Sequence, residues 1–422
     1  MLLRNFFFNR PLLAAFSIGL FSAASNTYAG VPPQPWPQDA FVPLLDARIA
    51  ALPEAEQGAW RKYLEASRRE SKAVPVVNEP EFSPMEPLKE PLKGAKYAKG
   101  LKDNAPAAWY ASAEARELAD HVAEWQAGAG GWSKSNDYSI SPREQKEKPR
   151  TDAWSAGTFD NNATILEMRF LVRVISSAKG ERRAKAWRAS FMRGLQYIFN
   201  AQYPNGGFPQ VYPLAGGYHD AITYNDNAMV RVLELLQDVA AGGPDFAFVA
   251  AEQRAEAGRR FALGIECVLK TQIVEESGRR TAWCQQHDMI TLKPCAARNF
   301  EPISACTSES ASLLKFLMRL PKQTPGLAKA IDDAAGWLEK IAIHDQVLDK
   351  TAPQRHLVPE SGARDLWARL YEIGTDKPVF GDRDRTIHYE LGEISSERQK
   401  GYAWYGEWPD TFLKEYKKWH AK

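Results

Sequence analysis

A punctuation of glutamine and an aromatic ring, with paired glycines in its first two copies, recurs along this chain and leaves few folds open to it. Residues 126–132 read QAGAGGW, residues 202–208 read QYPNGGF, and the loop that reaches Trp283 carries a third copy after Gln272. Trp132, Phe208 and Trp283 stand 76 and 75 residues apart, and each copy closes an amphipathic run. A long period with two helix-period runs per copy describes stacked helical hairpins, none of which can bury its apolar face alone. Such hairpins arrange radially into an α/α toroid, so a mainly all-α fold with long loops and a few short strands is expected. In that geometry Gln126, Gln202 and Gln272, with the aromatic residue of each copy, tie the end of one helix to the next.

The helical pattern starts near residue 112, where Leu118, Val122 and Trp125 share a face. The run over 158–177 offers Asp160, Asn161 and Asn162 as capping oxygens and then a stripe through Ile165, Met168 and Leu171. A partner covers 183–202, and the cycle repeats at 223–239 with 250–272, then from 308 and from 327. Beyond 366 the spacing of Gly, Pro and Asp predicts turns and short strands, and the amphipathic run 409–419 predicts a closing helix. Residues 112–422 therefore form the toroid. Before it, 30–111 is a proline-rich extension with a polar helix at 53–73 and a strap at 75–94, where five prolines break any regular element.

Residues 1–29 carry Arg4 and Arg10, an apolar stretch over 11–24, and Ala29 before Gly30. That order reads as a cleaved export signal, which places the product in the periplasm or outside the cell; an uncleaved anchor is the alternative, although its apolar core is short for a span. In an oxidising compartment Cys267, Cys284, Cys295 and Cys306 are expected to form two disulfides, with three pairings open. Zinc is disfavoured, because the four lack a close CxxC pair. A formal charge of +2 gives no general attraction for nucleic acid, so an anionic ligand must be met by local positive charge. No membrane contact is expected once the signal is removed, and a monomer is expected.

Two acidic positions precede helices in successive repeats: Asp160 in TFDNNAT and Asp226 in YNDNAM. Plain N-capping accounts for either. A cap needs one oxygen, however, and both places carry three such residues, a clustering of hard oxygens that suits Ca2+. An inverting glycoside hydrolase would use the same two carboxylates as acid and base. A carbohydrate-binding toroid without activity is a third reading. The hydrolase reading leaves idle the arginines Arg298, Arg369 and Arg383, which fall in loops or at element ends, and the retention of Arg298 with both aspartates argues against the binding toroid. Together the three arginines suggest recognition of carboxylates through the planar guanidinium fork. His287, beside Asp288, reads as a satisfied structural histidine.

Taken in order, GGWSKSND from Gly130, TFDNNATILEMRFL from Thr158, QYPNGGFPQVYP from Gln202, ITYNDNAM from Ile222, WCQQHD from Trp283, ARNFEP from Ala297, ARLYEI from Ala368 and PVFGDRD from Pro378 resemble the family 10 polysaccharide lyases, bacterial pectate lyases. The resemblance covers about 112–408 and leaves 30–105 without a role. It implies an α/α toroid of three helical pairs and β-elimination of polygalacturonate to a 4,5-unsaturated uronide. It further implies that Arg298 is the catalytic base, that Asp226 binds Ca2+, and that Asp160 serves catalysis and the metal at the same centre. Arg369 and Arg383 match arginines that hold substrate carboxylates. Lys134, Asn161 and Trp132, in the same motifs, complete the expected substrate-binding set, with Trp132 and Phe208 offering rings to sugar faces.

The chemistry explains why such groups are wanted. Removing the proton on C5 of a galacturonate builds a second negative charge beside its carboxylate, and Ca2+ with fixed guanidinium groups stabilises that charge. Arginine is normally always protonated, so its use as a base predicts an alkaline optimum. Esterified pectin lacks the charged carboxylate, so low esterification is expected to be preferred.

Overall fold

The computed structural model describes residues 34–35, 41–71, 98–102, 105–134, 136–144, 154, 156–321 and 324–420. The export segment and the strap at 75–94 lie outside these residues. Helices α1 (Asp46–Ala50) and α2 (Glu54–Ser71) come first, and α3 (Ala113–Glu124) opens the repeats. Three hairpins follow: α4 (Ile165–Ser177) with α5 (Ala184–Ala201), α6 (Ala228–Ala241) with α7 (Ala251–Thr271), and α8 (Thr307–Met318) with α9 (Pro325–Lys340). After the short α10 (Ser396–Gly401), α11 (Trp408–His420) packs against α8 and α9. The chain is a mainly α, α/α toroid of three helical pairs. No helix among the described residues is long and apolar enough to cross a membrane.

Two layers follow from the apolar patterning. Helices α4, α6 and α8 touch in succession, while α3 touches α5 and α7 touches α9. An inner helix must satisfy neighbours on several sides, and α6 buries Met229, Val230, Val232, Leu233, Leu235, Leu236 and Val239 around most of its circumference. The outer α7 is longer yet buries a narrow stripe through Ala257, Gly264, Cys267, Val268 and Thr271.

The glutamine punctuation ties each loop to the next outer helix. Gln126 Nε2 donates to Gly130 O (2.6 Å) and to Ser190 O in α5 (2.9 Å); Gln202 Nε2 donates to Gly206 O (3.0 Å) and to Arg260 O in α7 (2.9 Å). Gln272 Nε2 repeats the pattern on Thr281 O and on Ala330 O in α9, both at 2.9 Å. The indoles of Trp132 and Trp283 donate back to Val122 O and Val268 O, in the helix just ended. Gly206 has a φ of +96°, and a Cβ there would meet Leu263 O at 2.2 Å, so only glycine lets this loop lie against α7. Gln272→Ala removes the donor that Thr281 O and Ala330 O share, and a loss of about 2 kcal/mol in urea unfolding is expected. Turnover per folded molecule is expected to stay at the wild-type value, because Gln272 is not among the residues lining the pocket described below; an unmoved unfolding midpoint would deny the tie its structural weight.

The described part of the N-terminal extension packs on the loops of the toroid. Gln34–Pro35 pairs antiparallel with Ile387 and Thr386, Arg48 forms a bidentate ion pair with Asp288 (2.8 Å), and Tyr63 OH donates to Ala201 O (3.1 Å). Short strands knit the loops together: Ile222–Thr223 pairs with Gln286–His287, which pairs with Pro294–Cys295.

The disulfide expectation is corrected. All four cysteines are free and buried. Cys267 sits on the buried stripe of α7, the Cys284 thiol faces Cys295 O at 3.5 Å, and the Cys306 thiol donates to Glu309 Oε2 at 2.7 Å. Burial pushes the Cys267 thiol up to about 12. In a core this large, cysteine serves as a small hydrophobe and no covalent staple is needed.

Candidate active site

Short 3-10 turns, Asp160–Asn162 and Asn225–Asn227, precede α4 and α6 and touch one another. Asn161, Asn162, Asp226 and Asn227 have φ between 50° and 68°, the left-handed region that Asn and Asp tolerate better than other side chains. Neither Thr164 nor Asn227, the residues just before α4 and α6, makes a side-chain cap bond. The three-residue clusters therefore shape two matching loops and are not helix caps. Their register also differs from the sequence expectation: Asp160 corresponds to Asn225, and Asp226 to Asn161. The two carboxylates thus come from successive positions of the same turn.

Both line one pocket of about 100 Å³, together with Lys134, Trp154, Asn161, Gln210, Tyr218, Asn225, Gln286, Arg298 and Glu301. Asp160 accepts from Lys134 Nζ (2.6 Å) and Asn161 Nδ2 (2.8 Å) on Oδ2, and from Gln210 Nε2 (2.9 Å) on Oδ1. Burial opposes its ionisation, but the Lys134 ammonium outweighs burial and holds its carboxyl below the usual range. Asp226 takes the opposite direction: burial, and then the negative charge of Asp160 within hydrogen-bond reach, push its carboxyl up. Two like charges this close call for a proton or a cation.

An oxygen-seeking cation fits the donor set. Besides the two carboxylates, Gln210 Oε1 is buried without a hydrogen-bond partner in the same pocket. Among the described residues no set of three or more His, Cys, Asp and Glu gathers as a metal centre. The six to eight oxygens that Ca2+ prefers would thus need water and ligand oxygens as well.

Arg298 stands on the wall formed by the 297–301 loop. Its Nε donates to Glu301 Oε2 (2.8 Å) and its Nη2 to Glu301 Oε1 (2.5 Å), while 43% of its side chain stays open to solvent. The pocket walls work against its charge, and Glu301 more than offsets them, so the guanidinium stays well above its ordinary value. Arg298 is therefore a cation.

The remaining sequence candidates are placed as follows. Lys134 is held between Asp160 and the Trp154 ring, 3.6 Å from its centroid. Arg369 is 13% exposed, paired with Glu309, and stacked over Tyr402 at 4.8 Å; its Nε is buried without a partner. Arg383 binds Glu397 through Nε (2.9 Å) and Nη2 (3.1 Å). Trp132 and Phe208 are buried, so neither has a face for sugar, which corrects that expectation. Their rings close the repeat core, and the aromatic residues that line the pocket are Trp154 and Tyr218. His287 is fully buried, pushed down to about 4 by burial, with Nε2 accepting from Cys284 N and Nδ1 facing Leu292 O, a structural role.

Sequence reasoning missed Gln210, Tyr218, Trp154, Glu301 and Tyr402. Glu301 was within reach, three residues from Arg298 in the same motif, and Gln210 lies in FPQVYP. Trp154 and Tyr402 carry no local signal.

The profile of the pectic acid lyase family matches residues 126–413. Among solved structures, a family 10 polysaccharide lyase from Cellvibrio cellulosa is 31% identical, with a TM-score of 0.64, over 75% of this chain and 96% of its own. A mutant of that lyase in complex with trigalacturonic acid gives the same identity and score over 74% and 97%. No curated protein sequence matches the chain.

Proposed function

The chain belongs to the pectic acid lyase family and is a polysaccharide lyase, and from that premise we propose that it cleaves pectate by Ca2+-assisted β-elimination with Arg298 as the base. The observation that carries this reading is the meeting of Arg298 with the Asp160 and Asp226 carboxylates in one pocket. A similar lyase in complex with trigalacturonic acid supports a galacturonate chain as the ligand.

In the proposed step a neutral guanidine nitrogen of Arg298 takes the proton from C5 of a galacturonate. The C5–H electron pair becomes the C4=C5 double bond, and the C4–O4 bond breaks with its pair on oxygen, which then takes a proton from water. Asp226 and Asp160, with Gln210 Oε1, would hold Ca2+. When bound, that ion neutralises charge developing on the substrate carboxyl group and disfavours the protonated form of a nearby arginine. Lys134 keeps Asp160 ionised and in place. The Arg298 cation must lose a proton before it can act, so the rate is expected to rise with pH.

The hydrolase alternative loses its geometric basis. An inverting enzyme needs its carboxylates about 6.5–9.5 Å apart to admit water, whereas Asp160 and Asp226 stand within hydrogen-bond reach. Export by the segment at 1–29, and preference for pectate of low esterification, belong to the same proposal. Purified protein acting on polygalacturonate at alkaline pH is expected to raise the ultraviolet absorbance of the unsaturated uronide, and a chelator to abolish the rise. New reducing ends without that absorbance would overturn the elimination; a rise indifferent to chelator would overturn the metal requirement.

A further inference from the structure

We propose that Glu301 is the positioning residue for Arg298, and that Tyr402 fixes Glu301 and couples it to the Asp226 loop through Gln285. This inference rests on the reading of Arg298 as the base. It concerns residues from four separate segments, Arg298 with Glu301, Tyr402, Gln285 and Asn225.

The geometry begins at the 297–301 turn. Glu301 N donates to Arg298 O (2.7 Å), Arg298 N donates to Glu301 Oε2 (3.2 Å), and the side-chain fork adds its two further bonds. Glu301 has 2% of its side chain exposed, so an otherwise isolated charge is held at the floor of the site by its partners. Because the fork uses Nε and Nη2, Nη1 is the guanidinium nitrogen that Glu301 does not engage. That nitrogen is the one left to receive a proton, and the two bonds that Nε and Nη2 donate to Glu301 set its direction.

Glu301 is held in turn. Tyr402 OH donates to Glu301 Oε1 (3.0 Å) and accepts from Gln285 Nε2 (3.1 Å), whose same amide reaches Asn225 Oδ1 (2.9 Å), next to Asp226. The backbone repeats the link, since Tyr224 N and Asn225 N both donate to Gln285 O. The Arg298, Glu301, Tyr402, Gln285 and Asn225 chain therefore joins the two halves of the pocket. A base fixed at both its own turn and the opposite loop keeps its separation from the carboxylates.

Glu301 also controls the charge of Arg298. The other groups facing this guanidinium are Tyr402, Tyr218 and, across the pocket, Asp160 and Asp226. Arg398 and Arg383 share the Phe300 ring with Arg298, at 4.3, 5.7 and 4.9 Å from its centroid. Of all these, Glu301 alone makes a bidentate contact. Neutralising it while keeping its shape weakens the protonated form of Arg298, so more neutral base is present at a given pH. A residue that merely supported the fold would not move the pH profile.

The test compares Glu301→Gln, Tyr402→Phe and Arg298→Ala on polygalacturonate across alkaline pH, with saturating Ca2+. For Glu301→Gln, kcat is expected to fall on the order of tenfold through loss of orientation, KM to stay within about twofold, and the rising limb of the kcat profile to move to lower pH. Tyr402→Phe keeps the ring and is expected to lower kcat less, without moving the limb. If Glu301→Gln does not fold, Tyr402→Phe decides alone: an unchanged kcat overturns the coupling. A folded Glu301→Gln with wild-type kcat and an unmoved profile overturns the inference, as does a change confined to KM. Should Arg298→Ala remain active, it is the base reading that fails instead.

Discussion

Arg298→Ala is expected to abolish elimination, a fall of about 10³-fold or more in kcat for loss of a positioned base, while oligogalacturonate still binds. Binding is expected to persist because the pocket retains Lys134, Gln210 and the rings of Trp154 and Tyr218. The variant should also fold, since the Arg298 side chain is 43% exposed and lies on a loop. Its removal does leave Glu301 buried without its fork, so a modest loss of stability should accompany the loss of turnover. Calorimetric titration with oligogalacturonate, alongside single-turnover absorbance, separates the two effects. Wild-type turnover would remove Arg298 from the role, and loss of binding equal to loss of rate would make it a substrate clamp.

Asp226→Asn is expected to uncouple activity from stability in opposite directions. Burial and the charge of Asp160 raise the Asp226 carboxyl above its ordinary value, so the metal-free folded state binds a proton that the unfolded state has released. Stability then falls as pH rises from the ordinary aspartate value, about 4, through the raised one. Replacing Asp226 with a neutral side chain of the same shape removes this penalty, and the metal-free variant should melt above the wild type at alkaline pH. Activity should vanish, and Ca2+ should raise the melting temperature of the wild type but not of the variant. Thermal melts with and without Ca2+ check both halves. A variant that melts lower at every pH would give Asp226 a structural role, and equal stabilisation of both proteins by Ca2+ would place the ion elsewhere.

The opposed behaviour of Asp160 and Asp226 arises from neighbours, not from sequence. Both sit in near-identical clusters of Asp and Asn, and both looked like caps or ligands. Lys134 reaches Asp160 from the segment after α3 and Gln210 reaches it from the next repeat, whereas Asp226 faces mainly another carboxylate. Trp132 teaches the same lesson in reverse. An aromatic residue in a loop motif looks like a sugar platform, yet its indole closes the end of α3 through Val122 O, and Trp154, unremarked in sequence, lines the pocket in its place.

What the sequence by itself determined is the helical architecture: the hairpins, the glutamine ties, the closing helix and the identity of the motif residues. These are legible because helix periodicity, glycine turns and the repeat spacing are local properties, written within a few residues of one another. Only the tertiary structure decided that Arg298, Asp160 and Asp226 share a pocket, that Glu301 and Tyr402 stand behind the arginine, and that the four thiols remain apart from disulfides. Ionisation, pairing and burial depend on distances across space between segments far apart in the chain, and those distances exist only once the inner and outer helices have packed.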